Sequence, residues 1–197
     1  MTVYAPETPG SRRFDALEVS NTAELTPFLG SAVQRVVRLG DRFGVSFSTP
    51  ALTYEQAGQW IAFLAAAKRD EAALRWREPG VRLVAYGSPL VAGGGQAGSS
   101  LNIDGLPAHC RIEAGKFFSV LSGGRRSLHT VLARTDANSS GAASLPIWPP
   151  LRFSPADNAV VELAKPYIQG LIAKQDAIYS IEIAVVTGVS FQLREAR

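Results

Sequence analysis

The sequence predicts a mainly β protein with a single helix, organised as a split domain with a second β-module inserted between its halves. Three observations lead there. Short segments with apolar residues at alternate positions recur along the 197 residues, and Gly (18) and Pro (12) punctuate them. Only one stretch, roughly 53–67, has apolar residues at helical spacing. The last strand candidates follow a glycine-rich, turn-rich middle and cannot form a domain alone, so they must pair with the N-terminal sheet. The split domain then covers about 1–86 and 172–197, and the insert covers 87–171.

Residues 1–13, with two prolines and a glycine, read as an extended arm or a first edge strand. Gln34–Leu39 and Arg42–Ser48 read as two strands joined by a tight hairpin at Gly40-Asp41, with Phe43, Val45 and Phe47 forming one apolar face. Thr53 caps a helix and Gln56 completes a capping box. Ala57, Trp60, Ile61, Leu64 and Ala65 form its apolar stripe, with Trp60 as a core anchor. In Ala72–Arg77, Leu74 and Trp76 share one face and Arg75 and Arg77 the other. Val81–Ala85 continues the sheet after a Pro79-Gly80 turn.

Gly87–Ser100 holds five glycines and reads as a linker or a long loop. Strands are expected at Leu101–Ile103, Phe117–Leu121, Ser127–Ala133, Ala143–Trp148 and Val160–Leu163. Turns are expected at Asp104-Gly105, Gly123-Gly124, 136–141, Pro149-Pro150 and Asp157-Asn158. Five short strands at this spacing suit a small barrel or sandwich. Beyond Gly170, Ile181–Val186 reads as a buried strand and Val189–Leu193 as another, joined at Thr187-Gly188. Removing 88–170 is expected to leave the remainder folded.

At 46% hydrophobic and 19% charged residues the chain supports a real core. One cysteine, Cys110, allows no intramolecular disulfide and fits a reducing compartment. No window has the apolar length of a membrane span, and the N-terminus lacks a signal-peptide pattern. The formal charge of +3 is too small to argue for nucleic-acid binding. Sixteen of the twenty cations are Arg, and Arg-rich, Lys-poor surfaces suit protein interfaces.

No motif assigns an enzyme. His109, Cys110 and His129 do not make the four-ligand set of a structural zinc site, and a Cys110–His129 nucleophilic pair lacks any supporting signature. His129 is expected on a strand, pointing outward or capping a small cluster. The 93–98 glycine run lacks the Lys-Ser/Thr of a P-loop. The 136–141 loop lacks the bidentate Glu of a calcium loop and reads as a β-turn. Acidic residues, among them Glu24, Glu78 and Glu162, form no readable catalytic pair. No residue is assigned to catalysis, a cofactor or a metal. Arg75, Arg77 and Arg82 are candidate inter-subunit contacts that could meet carboxylates such as Glu24 or Asp70, and Arg125-Arg126 sit at a loop tip.

The order of features resembles the distal tail proteins of long-tailed bacteriophages. The resemblance is carried by Gly98–Ile103, then Asp104-Gly105-Leu106-Pro107, then 113–118 (EAGKFF), where Lys116 stands in place of the family's Asp. Leu128–Arg134, the 136–141 turn, Ala143–Ile147 and 148–152 (WPPLR) follow in the same order. Phe43–Phe47, 50–53 (PALT), the Trp60 helix and the closing 191–197 (FQLREAR) also fit. The resemblance implies a split β-sandwich or barrel domain with one helix, carrying an OB-like barrel. It implies a virion component, assembled from a chain made in the host bacterial cytoplasm and located at the tail tip. There a ring, usually hexameric, joins the tail tube protein to the hub and receptor-binding apparatus and leaves a channel for DNA. A prophage or gene transfer particle is an equivalent setting. A glycan-binding adsorption module is the alternative, with Trp148, Phe117 and Phe118 as its candidate contacts.

Overall fold

A computed structural model describes residues 1–7, 11–26, 28, 30, 32–36, 40–78, 84–173, 180–182, 185–187 and 189–196, with 180–182 and 185–187 described by their backbone. The elements in chain order are β1 Thr2–Tyr4, β2 Arg13–Val19, β3 Ala23–Leu25, β4 Gln34–Val36, β5 Arg42–Ser48, α1 Tyr54–Ala67 and β6 Glu71–Arg75. Then come β7 Leu90–Val91, β8 Gly98–Asp104, β9 Arg111–Ile112, β10 Phe117–Ser122, β11 Arg125–Val131, β12 Thr135–Asp136, β13 Ala143–Leu151 and β14 Val160–Glu162. The chain closes with β15 Tyr167–Ile172, β16 Ser180–Glu182, β17 Val185–Thr187 and β18 Ser190–Glu195. Among the described residues the protein is mainly β, with one helix and one closed barrel.

Two sheets carry the architecture. A six-stranded sheet has the order β1-β6-β15-β18-β5-β2, antiparallel except for the β1–β6 pair. A closed antiparallel barrel has the order β10-β11-β13-β8-β7-β14. The chain leaves the sheet after β6, completes the barrel, and returns at β15. Tyr167–Leu171, which the sequence reading places in the insert 87–171, instead pairs with β6 and β18, so the chain re-enters the sheet earlier than residue 172.

The helix starts as its capping box dictates. Gln56 N–H donates to Thr53 Oγ1, and Thr53 N–H donates to Gln56 Oε1 at 3.2 Å. Its buried stripe is Ala57, Trp60, Phe63, Leu64 and Ala67. Ile61 is half-buried and Ala65 exposed, so the stripe is rotated toward Phe63 relative to the expected one. The aromatic neighbours explain the rotation. Trp60 stacks on Phe47 of β5 with centroids 5.1 Å apart, and Phe63 meets both Trp60 and Phe191 of β18 at about 6 Å.

Phe43, Val45 and Phe47 all point into one core, as the alternation of β5 requires. The helix covers the Phe47 end of this face. The barrel covers the Phe43 end, where Phe43 lies 5.3 Å from Phe117 and 4.9 Å from Trp148. Leu128 of β11 belongs to the same core. The barrel has a second core of its own, including Leu101, Ile103, Phe118, Leu145, Ile147 and Val161.

Several sequence expectations are corrected. β5 pairs with β2 and β18, while β4 pairs with β3, so Gly40-Asp41 does not turn a hairpin between β4 and β5. The reason lies in the side chains. Asp41 is buried and accepts from the backbone N–H of Asn21 at 2.6 Å, which ties the entry of β5 to the exit of β2.

The glycine-rich 87–100 stretch is neither linker nor long loop. It contains β7 and the start of β8, folded back by a compact turn. Gln96 organises that turn: its amide NH2 donates to the carbonyls of Ala92, Gly93 and Asn102, and its carbonyl accepts from Asn102 N–H at 2.7 Å. Gly93 and Gly95 supply the left-handed backbone the turn requires, at φ 87° and 78°.

Pro149-Pro150 does not end its strand, because β13 runs on to Leu151 with a register shift between Pro146 and Leu151. Ile181–Val186 is not one strand of the main sheet: β16 and β17 pair with each other as a hairpin. Residues 81–83 of the expected Val81–Ala85 strand lie outside the described residues, and Val84 and Ala85 are in no strand. The N-terminal segment forms β1, the parallel edge strand beside β6.

Candidate assembly site

Three carboxylates stand along the seam between barrel and sheet: Glu78 and Glu195 bond across it, and Glu162 bonds within the barrel and holds the Arg126 and Ser119 that reach the sheet. The first, Glu78, follows β6. Its Oε1 accepts from Phe117 N–H at 2.6 Å and its Oε2 pairs with Lys116, which is 8% exposed and lies over the Tyr86 ring. The second, Glu162, ends β14. It takes a fork from Arg126, with Nε 2.9 Å from Oε2 and Nη2 3.0 Å from Oε1, and accepts from the Ser119 hydroxyl.

The Arg126 guanidinium lies between the rings of Tyr4 and Tyr167, 5.4 and 5.2 Å from their centroids, and donates to the Tyr4 hydroxyl. Ser119 Oγ in turn accepts from Tyr167 N–H at 3.0 Å. β1, β15 and the barrel are thus joined through one cation. Burial opposes the Arg126 charge, but the Glu162 hydrogen bonds and charge outweigh it and hold the guanidinium above its ordinary pKa.

The third carboxylate, Glu195, ends β18 and is 3% exposed. Its Oε1 accepts from Leu128 N–H of the barrel at 2.8 Å and from Arg152 Nη2 at 2.7 Å, and its Oε2 from Phe43 N–H of β5 at 3.4 Å. Arg152 Nη1 also donates to Ala196 O at 3.0 Å. Burial pushes the Glu195 carboxyl up to about 7, against the pull of Arg152, the two N–H donors and Arg42.

The β2 edge of the sheet is a second surface of interest. β2 is outermost, and among the described residues no strand pairs with its outer side. The β3–β4 hairpin follows it directly. Leu25 and Val33 are more than half exposed there, and Phe28 is fully exposed. A seven-residue edge with apolar groups beside it is a template for another chain.

The sequence-predicted site residues distribute as follows. Arg75 ends β6, half-buried, opposite Tyr167. Arg77 donates from Nη2 to the carbonyl of Glu7 at 2.6 Å. Both line a cavity of about 80 Å³ with Tyr4, Pro6 and Leu74, which has room for a few waters only. Arg82 lies outside the described residues. Asp70 and Glu24, considered as partners in a neighbour, pair within the chain with the Met1 amine and Arg35 respectively.

Phe118 is fully buried in the barrel core, which leaves it no face for a sugar, while Phe117 and Trp148 are half-buried and pack into the barrel–sheet junction. His129 does not point outward. It is 1% exposed, stacks against Phe118, and bonds the Pro149 carbonyl and the Ser127 hydroxyl. Burial pushes its imidazole down to about 4, with the nearby Arg152 charge adding to the effect and the Pro149 bond opposing it. Cys110 packs at the margin of the barrel core, and burial pushes its thiol up. In the 136–141 loop, Asn138 Oδ1 accepts from Ser140 and Ala142 N–H, an Asx-type turn, while Asp136 pairs with Arg111 and Arg134.

Glu162, Glu195, Arg126 and Arg152 were not recognisable as a group from their spacing. One signal was present. Alternation along β11 puts Arg126 on the same face as Leu128, and that face is the one buried against the sheet. No helix among the described residues is long and apolar enough to cross a membrane. No protein-family model matches the chain, and no curated protein matches it.

Proposed function

We propose that the chain is a structural component of a phage-type tail, a ring-forming distal tail adaptor that joins the tail tube to the hub and receptor-binding apparatus. The observation that supports this reading is the topology. The chain leaves an open six-stranded sheet after β6, builds a closed barrel, and returns to the same sheet at β15. That is the layout implied by the resemblance of 98–152 and 191–197 to distal tail proteins.

The physics of the β2 edge favours the same role. An edge strand on one side of a subunit, meeting a different surface of the next copy, is a heterologous contact, and such contacts close into rings when the rotation permits. The barrel is tied at both ends and fastened by Glu78, Arg126 and Glu195, so it projects as a fixed part of the subunit. The work of such a protein is geometric and needs no covalent step.

Negative-stain electron microscopy of the purified, lightly cross-linked protein tests this, alone and mixed with tail tube and hub proteins. Closed rings with a central hole are expected. Dispersed single subunits under both conditions refute the adaptor role. Replacing Arg75 and Arg77 by Glu is expected to reduce ring yield while leaving the melting temperature of the subunit nearly unchanged, and an unaltered yield removes these residues from the interface.

A further inference from the structure

We propose that Glu195 is a proton-operated latch between barrel and sheet, closing more tightly on mild acidification and loosening toward alkaline pH. The geometry is specific to this carboxylate. It stands on the last residue of β18, a central strand of the sheet, and gathers donors from both bodies: Phe43 N–H from β5, and Leu128 N–H and Arg152 from the barrel. At 3% exposure it has lost nearly all its water. Opening the seam would return that water, because its donors belong to two bodies that would part.

A carboxylate that is dry when closed and wet when open prefers to carry its proton in the closed state, unless neighbouring cations compensate in full. The charged and titratable groups facing it can be named. Arg152 comes from the barrel and Arg42 from β5; behind Arg152 on β11 stands His129, which is buried and neutral near pH 7. The two arginines offset the burial only in part, which is consistent with the carboxyl lying near 7.

The other two carboxylates near the seam are placed differently. Glu162 and Glu78 each face a single cation, Arg126 and Lys116, with side chains 18% and 13% exposed against 1% for Glu195.

The sign follows from linkage. A carboxyl raised from its ordinary 4.5 to about 7 in the closed state couples closing to uptake of one proton between those values. The opening constant should rise by about tenfold per pH unit across that window and level off above it.

Hydrogen exchange of the Leu128 amide, which donates directly to Glu195, reads the opening once corrected for intrinsic exchange. In the wild-type protein the opening constant is expected to climb between pH 5 and 7. In Glu195→Gln, which keeps the shape without the titration, it should be flat. A flat wild-type profile, or an unchanged slope in Glu195→Gln, overturns the latch. Direct carbon NMR titration of the wild-type Glu195 carboxyl provides a second measurement that needs no variant, and a midpoint at the ordinary value of 4.5 also overturns it.

Discussion

Gly170 is the position where the sheet tolerates least. It lies on β15 opposite Glu195 of β18, in the middle of the sheet. A Cβ added there would sit 1.9 Å from Arg194 O, 2.6 Å from Arg194 C and 2.7 Å from Glu195 Cα. All three are backbone atoms, so no rotamer change relieves the clash. Reaching ordinary contact moves the two strands apart by roughly 1.5 Å, enough to break hydrogen bonds of normal length. The β15–β18 ladder has three residue pairs, Gly170–Glu195, Leu171–Arg194 and Ile172–Leu193. At about 1 kcal/mol per lost bond, Gly170→Ala should cost about 3 kcal/mol. For a chain of this size that lowers the melting temperature by about 6–12 °C, measurable by circular dichroism. Gly58 is the matched control: it lies within α1, with nothing within 4 Å of an added Cβ. Gly58→Ala should stabilise by about 1 kcal/mol through helix propensity. If Gly170→Ala melts within about 2 °C of the wild type, the close approach of β15 and β18 is wrong.

Arg126→Ala should destabilise by about 3 kcal/mol, because it strands Glu162 in a largely buried site, while Arg125→Ala should stay within about 0.5 kcal/mol; urea unfolding distinguishes them. The His129 imidazole is depressed in the fold from 6.5 to about 4, so its contribution is fully present above pH 6.5 and is lost as pH falls toward 4. Glu195 titrates with the opposite sign, so the His129 loss, about 3 kcal/mol, should be seen most fully in urea unfolding of Glu195→Gln between pH 7 and 4. Replacing 87–166 by a short linker should abolish cooperative melting, since it removes Phe117, Leu128 and Trp148 from the sheet's core and two of the three donors to Glu195. A sharp thermal transition in that variant would show the barrel to be dispensable to the sheet, as its sequence first suggests.

Local signals were legible wherever a single element decided the outcome. Thr53 and Gln56 marked the helix start to the residue, and the alternation of Phe43, Val45 and Phe47 correctly gave a one-faced strand. The barrel strands near 101, 117, 127, 143 and 160 were visible because each is a short apolar run between turn residues. Pairing was harder. β4 and β5 are adjacent in sequence and separated by a glycine, yet Asp41 reaches back to Asn21 and β5 takes distant β18 as a neighbour. Tyr167–Ile172 has no feature that separates a last barrel strand from a sheet strand; its place depends on β6, nearly a hundred residues earlier. The carboxylate seam was hidden for the same reason. Glu78, Glu162 and Glu195 are far apart in sequence, and only folding brings each against its donors. Trp148, Phe117 and Phe118 illustrate the converse: an aromatic on a short strand reads equally as a ligand platform or as core, and here two belong to the junction and one to the barrel.

The order of strands in the sheet also dictates a sequence of events during synthesis. Its N-terminal strands form two separate pairs, β1 with β6 and β5 with β2, and the two places between them belong to β15 and β18. A nascent chain that has emerged only as far as the barrel holds two ribbons with a gap between them. The barrel, whose strands all lie between Leu90 and Glu162, can close before either missing strand leaves the ribosome. The sheet is completed last, by C-terminal strands that enter at its centre, so a chain terminated early leaves a finished barrel attached to four open strand edges.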